Sequence, residues 1–197
     1  ESLPEQVAAV LASNGVSAER VTMEVTESAV MANAEQALSV LARLRQLGIT
    51  LSIDDFGTGY GSLTYLRTVP ALELKIDRSF VLDLESNESN AAIVGSVIQL
   101  AHGLGLKVLA EGVETVAALE RLRQMKCDLV QGYLFSRPLP AAEFERFVEE
   151  YPSGLLAKQL RHGGGANSAP PETGVRVVRQ GEHVQTDSRA KQRSETS

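Results

Sequence analysis

Ile53-Asp54-Asp55-Phe56-Gly57-Thr58-Gly59-Tyr60-Gly61-Ser62 is the stretch on which the reading of this chain turns. Two adjacent carboxylates close a short apolar run, Ile49 to Ile53, and a glycine-rich loop follows at once. Two like charges about 4 Å apart repel by roughly 4 kcal/mol at an effective dielectric of about 20, and a cation between them removes that cost. A lone Asp-Asp pair is usually a solvated turn. Acids in matching places elsewhere in this chain tip the balance toward a cation site.

The bulk properties bound the answer. A chain of 197 residues has room for one domain with a sizeable core. A net charge of −6 argues against the basic stripe that a nucleic-acid polymer needs, so none is expected as a partner. No stretch is long and apolar enough to span a membrane, and no signal peptide is visible, so no membrane contact is expected within the chain. Cys127 is the only cysteine, which excludes a disulfide framework and fits a reducing cytoplasm. His102, His162 and His183 are scattered, which speaks against a histidine metal site or triad. The chain begins at Glu1 without an initiator methionine and is expected to be a piece of a longer protein.

On both sides of the acidic pair, strand-like and helix-like patterns alternate. Leu3 to Leu11 reads as an amphipathic helix closed by Asn14-Gly15. Val21 to Val25 reads as a strand. Asn33 caps a helix with Gln36 as capping-box partner, and Gly48 stops it before the strand Ile49 to Asp54. A short helix is expected at Leu63 to Leu66, then a strand from Leu72 to Ile76. Ile93, Val97, Leu100, Ala101 and Leu104 mark a helix. Lys107 to Ala110 is a strand, Val116 to Met125 a helix and Leu129 to Gln131 a short strand. Pro140 opens a last helix to about Leu156. Such alternation implies an α/β fold with parallel strands. Residues 1–160 are expected to form the domain. Residues 161–197, with Gly163-Gly164-Gly165 and little periodicity, are expected to be a disordered tail.

Side chains alternate faces along a strand. That period sets Glu24, Asp54 and Lys75 opposite to their apolar neighbours, and puts Glu111 and Gln131 at strand ends. Every strand therefore carries a polar residue at or near its carboxyl end, where parallel α/β folds hold their active sites. Each residue alone has an ordinary explanation: Glu24 on the surface, Lys75 snorkelling to solvent, Glu111 capping a helix. None of these accounts for the pattern in all five strands. Glu24, Asp54, Asp55 and Glu111 together make an oxygen-rich site that suits Mg²⁺ or Mn²⁺ better than zinc. Such a site supports metal-assisted hydrolysis, with a phosphodiester as the expected substrate class.

Longer motifs carry a resemblance. Glu24-Val25-Thr26-Glu27-Ser28, Asp54-Asp55-Phe56-Gly57-Thr58-Gly59-Tyr60, Lys75-Ile76-Asp77, Ala110-Glu111-Gly112-Val113-Glu114-Thr115 and Gln131-Gly132-Tyr133, closing with Pro138, resemble the EAL family of bacterial cyclic di-GMP phosphodiesterases. The resemblance runs from Glu1 to about Val148. It implies a variant (β/α)8 TIM-like barrel with one antiparallel strand. It also implies hydrolysis of cyclic di-GMP to linear pGpG in bacterial second-messenger signalling. By position, Glu24, Asp54, Asp55 and Glu111 resemble the ligands of a site for Mg²⁺ or Mn²⁺, with two ions expected. Asp54, Lys75 and Glu111 resemble the catalytic set, with Lys75 orienting or helping to deprotonate the attacking water. Gln131 resembles a support of the metal site, and Glu27 the acid that holds the loop after Asp55. Glu114 matches a motif position, with helix capping as its alternative. The Phe56–Ser62 loop region is where such domains pair, so a homodimer through it is expected. The implied location is the bacterial cytoplasm, with a membrane tether in the parent protein left open.

The sequence departs from the family in two ways. Gly61 stands where the family usually has serine. The Glu-Ala-Leu motif and a later metal-binding asparagine have no counterpart here, so the chain is expected to hold about five carboxyl-terminal βα units of the barrel. Three readings stay open: the intact parent as an enzyme on cyclic di-GMP, a catalytically inactive module that binds cyclic di-GMP or another protein, and, as the weakest, a different barrel metal hydrolase.

Overall fold

The structure is a computed structural model that describes residues 2–26, 29–30, 33–57 and 66–150. The expected tail, the Gly61 position and all of the Leu63 to Leu66 helix except Leu66 lie outside the described residues.

Helix α1, Leu3–Ser13, starts with Pro4 in its first turn and ends at Asn14, with Gly15 in the left-handed region. A 3-10 turn, Ala18–Arg20, leads into β1, Thr22–Thr26. Helix α2, Ala34–Gln46, is capped by the Asn33 side chain, which accepts from the Gln36 amide. The Gln36 side chain closes this cap by accepting from Asn33 Nδ2 rather than by reaching back to a backbone amide. Strand β2, Thr50–Phe56, contains the acidic pair. Strand β3 is Glu73–Ile76 and β4 is Lys107–Ala110, with two helices between them. Of these, α3, Arg78–Val81, is a single turn that the periodicity did not reveal, and α4, Glu88–Gly103, starts one turn earlier than its apolar spacing suggested because Asn87 caps it. Helix α5, Val116–Gln124, starts at the Thr115 cap, β5 is Leu129–Val130, and α6 is Ala141–Glu150.

The five strands form one sheet in sequence order, and every neighbouring pair is parallel. Parallel neighbours need crossover connections, which the intervening helical segments supply. Leu51 and Ile53 of β2, Leu74 and Ile76 of β3, and Val108 and Ala110 of β4 are buried. They form one cluster with Leu41 and Leu44 of α2, Val94 and Ile98 of α4, and Leu119 and Leu122 of α5. Each such leucine or isoleucine stabilises the fold by about 1.5–3 kcal/mol. Strand β3 is central and buried on both faces. Among the described residues, β1 and β5 each pair on one side only. The architecture is α/β, and the sheet is part of a TIM-like barrel.

Candidate metal-dependent active site

The helices cover one face of the sheet. The register shows what stands on the other. Glu24 pairs with Ser52, Ser52 with Glu73, Glu73 with Lys107, and Lys75 with Leu109. Paired residues share a face, so Glu24, Ser52, Asp54, Glu73 and Lys75 all point inward. Glu111 follows β4 directly. Its amide donates to the Ile76 carbonyl at 3.1 Å, which continues the ladder one step past the strand.

Three acids from three strands meet at one cation. Lys75 Nζ lies 2.6 Å from Glu111 Oε1, 2.9 Å from Glu24 Oε1 and 3.0 Å from Asp54 Oδ1. Lys75 is buried at 5% exposure, against the ordinary habit of lysine. Burial alone would lower its pKa. The hydrogen bonds that Lys75 donates to Glu111, Glu24 and Asp54 outweigh that and raise it well above the usual lysine value. Glu111 shows the other side of the cluster: burial pushes its carboxyl up, and the Lys75 contact only partly opposes this.

Adjacent strand residues point to opposite faces, so Asp54 and Asp55 should not both reach one site. A bulge changes this. Strands β2 and β3 are in register through Ile53 with Leu74 and again at Phe56 with Ile76, so both aspartates stand opposite Lys75 alone. Asp55 takes the left-handed conformation, φ 54°, which aspartate tolerates better than most residues. Asp54 Oδ1 accepts from the Asp55 amide at 3.0 Å. Burial, then the charges of Asp54 and Asp77, raise the Asp55 pKa. Asp77 itself is turned toward α3, where its carboxylate accepts from the Ser79 amide and hydroxyl; these bonds outweigh burial and lower its pKa.

The remaining expected residues divide. Gln131 follows β5. Its amide donates to Ala110, and its carbonyl accepts from Val113 at 3.0 Å. Its side-chain Oε1 is buried with no hydrogen-bond partner among the described residues. Glu114 is exposed, and the cap of α5 is Thr115, whose hydroxyl oxygen accepts from the Ala118 amide. Glu27 and the Thr58–Ser62 part of the loop lie outside the described residues. Two features went unnoticed in the sequence. One is the buried Ser52–Glu73 pair, which the period of two along β2 and β3 could have flagged. The other is the tight crossing at Gly132, where an added Cβ would lie 2.1 Å from the Val113 carbonyl oxygen.

The chemistry of this cluster fits a divalent cation. The donors are all oxygens, as Mg²⁺ and Mn²⁺ prefer. Three carboxylates, Glu24, Asp54 and Glu111, contact the single charge of Lys75, and Asp55 adds a further negative charge beside Asp54. The raised carboxyls of Asp55 and Glu111 and the orphaned Gln131 oxygen mark negative charge and an acceptor in need of a partner. Among the described residues no three carboxylate, histidine or cysteine groups already stand together as a cage. The Lys75 ammonium sits where Glu24, Asp54 and Glu111 meet, so an incoming cation competes with it for the same oxygens.

Comparison with known proteins bears on the family and the fold. The profile described as EAL domain matches residues 1–138. A protein of Pseudomonas aeruginosa named cyclic di-GMP phosphodiesterase NbdA is 51% identical over 150 residues, which cover 76% of this chain and 19% of the relative. The chain thus spans about a fifth of that curated relative's length. Among solved structures, PaMucR phosphodiesterase in complex with c-di-GMP superposes with a TM-score of 0.69 at 44% identity, covering 72% of this chain and 57% of that one. Klebsiella pneumoniae BlrP1, solved with manganese and cy-diGMP at pH 9.0, gives a TM-score of 0.63 at 38% identity, covering 68% of this chain and 34% of that one.

Proposed function

The chain belongs to the EAL domain family, and from that premise we propose that its intact domain hydrolyses cyclic di-GMP to linear pGpG with Mg²⁺ or Mn²⁺. The observation that carries the reading is the convergence of Glu24, Asp54 and Glu111, from three strands, on Lys75 at the carboxyl ends of the sheet. Glu24, Asp54, Asp55 and Glu111 are the residues that would hold the cation or cation pair, with Gln131 Oε1 as a further acceptor. When bound, a divalent cation supplies charge stabilisation at phosphorus and an acidified water.

The chain's own residues do the rest. Linear pGpG carries a 5′-phosphate, so water adds at phosphorus and the bond to one 3′-oxygen breaks. Lys75, whose ammonium is held by three acids, orients water and phosphate oxygens as a donor. Glu111, whose Oε1 lies 2.6 Å from Lys75 Nζ at the end of β4, would take the proton of the water that Lys75 orients. Asp54 holds Lys75 in line from β2.

The inactive-module reading is favoured by one observation, the ammonium that fills the meeting point of the acids. One experiment separates the two. The intact protein is assayed for cyclic di-GMP hydrolysis with Mn²⁺, beside Asp54→Asn. Turnover by the wild type and a loss of 100-fold or more in the variant support the enzyme, an effect on the scale of removing one key electrostatic group. Tight binding of cyclic di-GMP with no turnover by the wild type would establish the module instead.

A further inference from the structure

The buried polar side chains of the described residues are Ser52, Glu73 and Lys75. Lys75 belongs to the cluster above. The other two form a hydrogen bond: the Ser52 hydroxyl donates to Glu73 Oε1 at 3.0 Å, with exposures of 0% and 5%. We propose that this pair is a positioning strut that sets Asp54 and Asp55 against Lys75, an inference that rests on the function proposed above.

The argument is one of place. Ser52 and Asp54 share the inner face of β2, and Glu73 and Lys75 share the inner face of β3. The Ser52–Glu73 bond therefore lies directly beneath the Asp54–Lys75 ion pair. Ser52 and Glu73 are also the last in-register pair on that face before the bulge. Beyond it, the ladder no longer fixes the two aspartates relative to β3, and register resumes only at Phe56 with Ile76. The side-chain bond clamps the strands where backbone pairing lets go. Cost points the same way. A buried carboxylate is expensive, and an apolar pair would fill this layer without it. Buried polar networks that are satisfied rigidify one arrangement. Here the arrangement held is the one that sets Asp54 3.0 Å from Lys75 at the start of the bulge. Displacements of about 1 Å at a catalytic centre can lower rates about 100-fold.

The test uses Ser52→Ala and Glu73→Gln in the intact protein, with Mn²⁺ affinity by calorimetry, steady-state kinetics and thermal melts. Ser52→Ala removes the strut. It is expected to weaken Mn²⁺ binding and to lower kcat, each tenfold or more, with KM moving less than threefold; the melt should fall by a few degrees, because the buried Glu73 carboxylate loses a donor, with the protein still folded at the assay temperature. Glu73→Gln keeps an oxygen for the Ser52 hydroxyl and is expected to fall less than threefold in both. A Ser52→Ala protein with wild-type kcat and Mn²⁺ affinity overturns the strut, as does a loss in Glu73→Gln equal to that in Ser52→Ala. A loss that disappears at temperatures where Ser52→Ala is fully folded assigns the pair to stability and overturns it too. A wild type that binds Mn²⁺ without turnover defeats the hydrolytic reading alone, because the affinity comparison still decides the strut. A wild type that binds no Mn²⁺ overturns both.

Discussion

Replacing Lys75 by methionine keeps the reach of the side chain and removes its charge. The ammonium is buried at 5% exposure, with Glu111, Glu24 and Asp54 oxygens at 2.6, 2.9 and 3.0 Å. At an effective dielectric of about 20, unit charges about 3 Å apart attract by roughly 5–6 kcal/mol. Desolvation of the partners offsets most of this, and breaking a buried pair from one side costs about 3–5 kcal/mol. For a domain of this size that is a fall in Tm of roughly 6–20 °C. Two signatures separate this loss from simple repacking. Without the ammonium the acids repel one another, so protonating them relieves the strain, and the deficit should be smaller at pH 5 than at pH 7. A divalent cation should do the same, so the deficit should be smaller in Mn²⁺ than in EDTA. Melts of the intact wild type and Lys75→Met under these four conditions read both. Kinetics should show kcat falling further than KM rises, as for a group that acts on the attacking water. A variant within about 2 °C of wild type in EDTA at pH 7, with no added response to pH or Mn²⁺, would refute the view that Lys75 neutralises the cluster.

Asp55→Asn should stabilise the metal-free protein while weakening Mn²⁺ binding. Burial and the neighbouring Asp54 raise the folded-state pKa of Asp55 above its usual value of 3.8, so its ionised form destabilises the fold at pH 7 and that cost disappears as pH falls through the folded value. The side chain is exposed, so the gain is small, about 1–4 °C in EDTA; it should vanish near pH 3, and a variant that melts lower than wild type at pH 7 would count against the assignment. Asparagine accepts the left-handed backbone there, so backbone strain does not confuse the result. Gly132→Ala would set a methyl 2.1 Å from the Val113 carbonyl oxygen and 2.3 Å from its amide nitrogen, so the segment holding Glu111 must move; a loss of more than about 3 kcal/mol in denaturant melts is expected, and a fully stable, fully active variant would contradict the crossing. Cys127 is buried, and desolvation pushes its thiol up to about 12. At pH 8 it should resist a thiol reagent in the folded protein and react at once in denaturant; fast labelling of the folded form would show the site to be open.

What was legible in the sequence was local in origin. Caps such as Asn33 and Thr115, and the alternation of strands with helices, express interactions within a few residues of each other. The period of two along each strand also sufficed to put Glu24, Asp54 and Lys75 on one face. Family resemblance then attached roles to those positions. It was silent on α3, a single turn with too few residues to show a period. The tertiary structure decided matters that depend on how separate strands align. Parity alone would have turned Asp55 away from Asp54. The bulge against β3 and the left-handed φ of Asp55 break that parity, and the bulge is a matter of pairing with residues some twenty positions away. The Ser52–Glu73 bond and the closeness of Gly132 to Val113 have the same origin, since nothing near Ser52 or Gly132 in sequence specifies the partner. The seating of Lys75 among three acids is the clearest case. The composition of the strand ends supplied the charges, but only the stagger of adjacent parallel strands brings Glu24, Asp54 and Glu111 within 3.0 Å of one nitrogen.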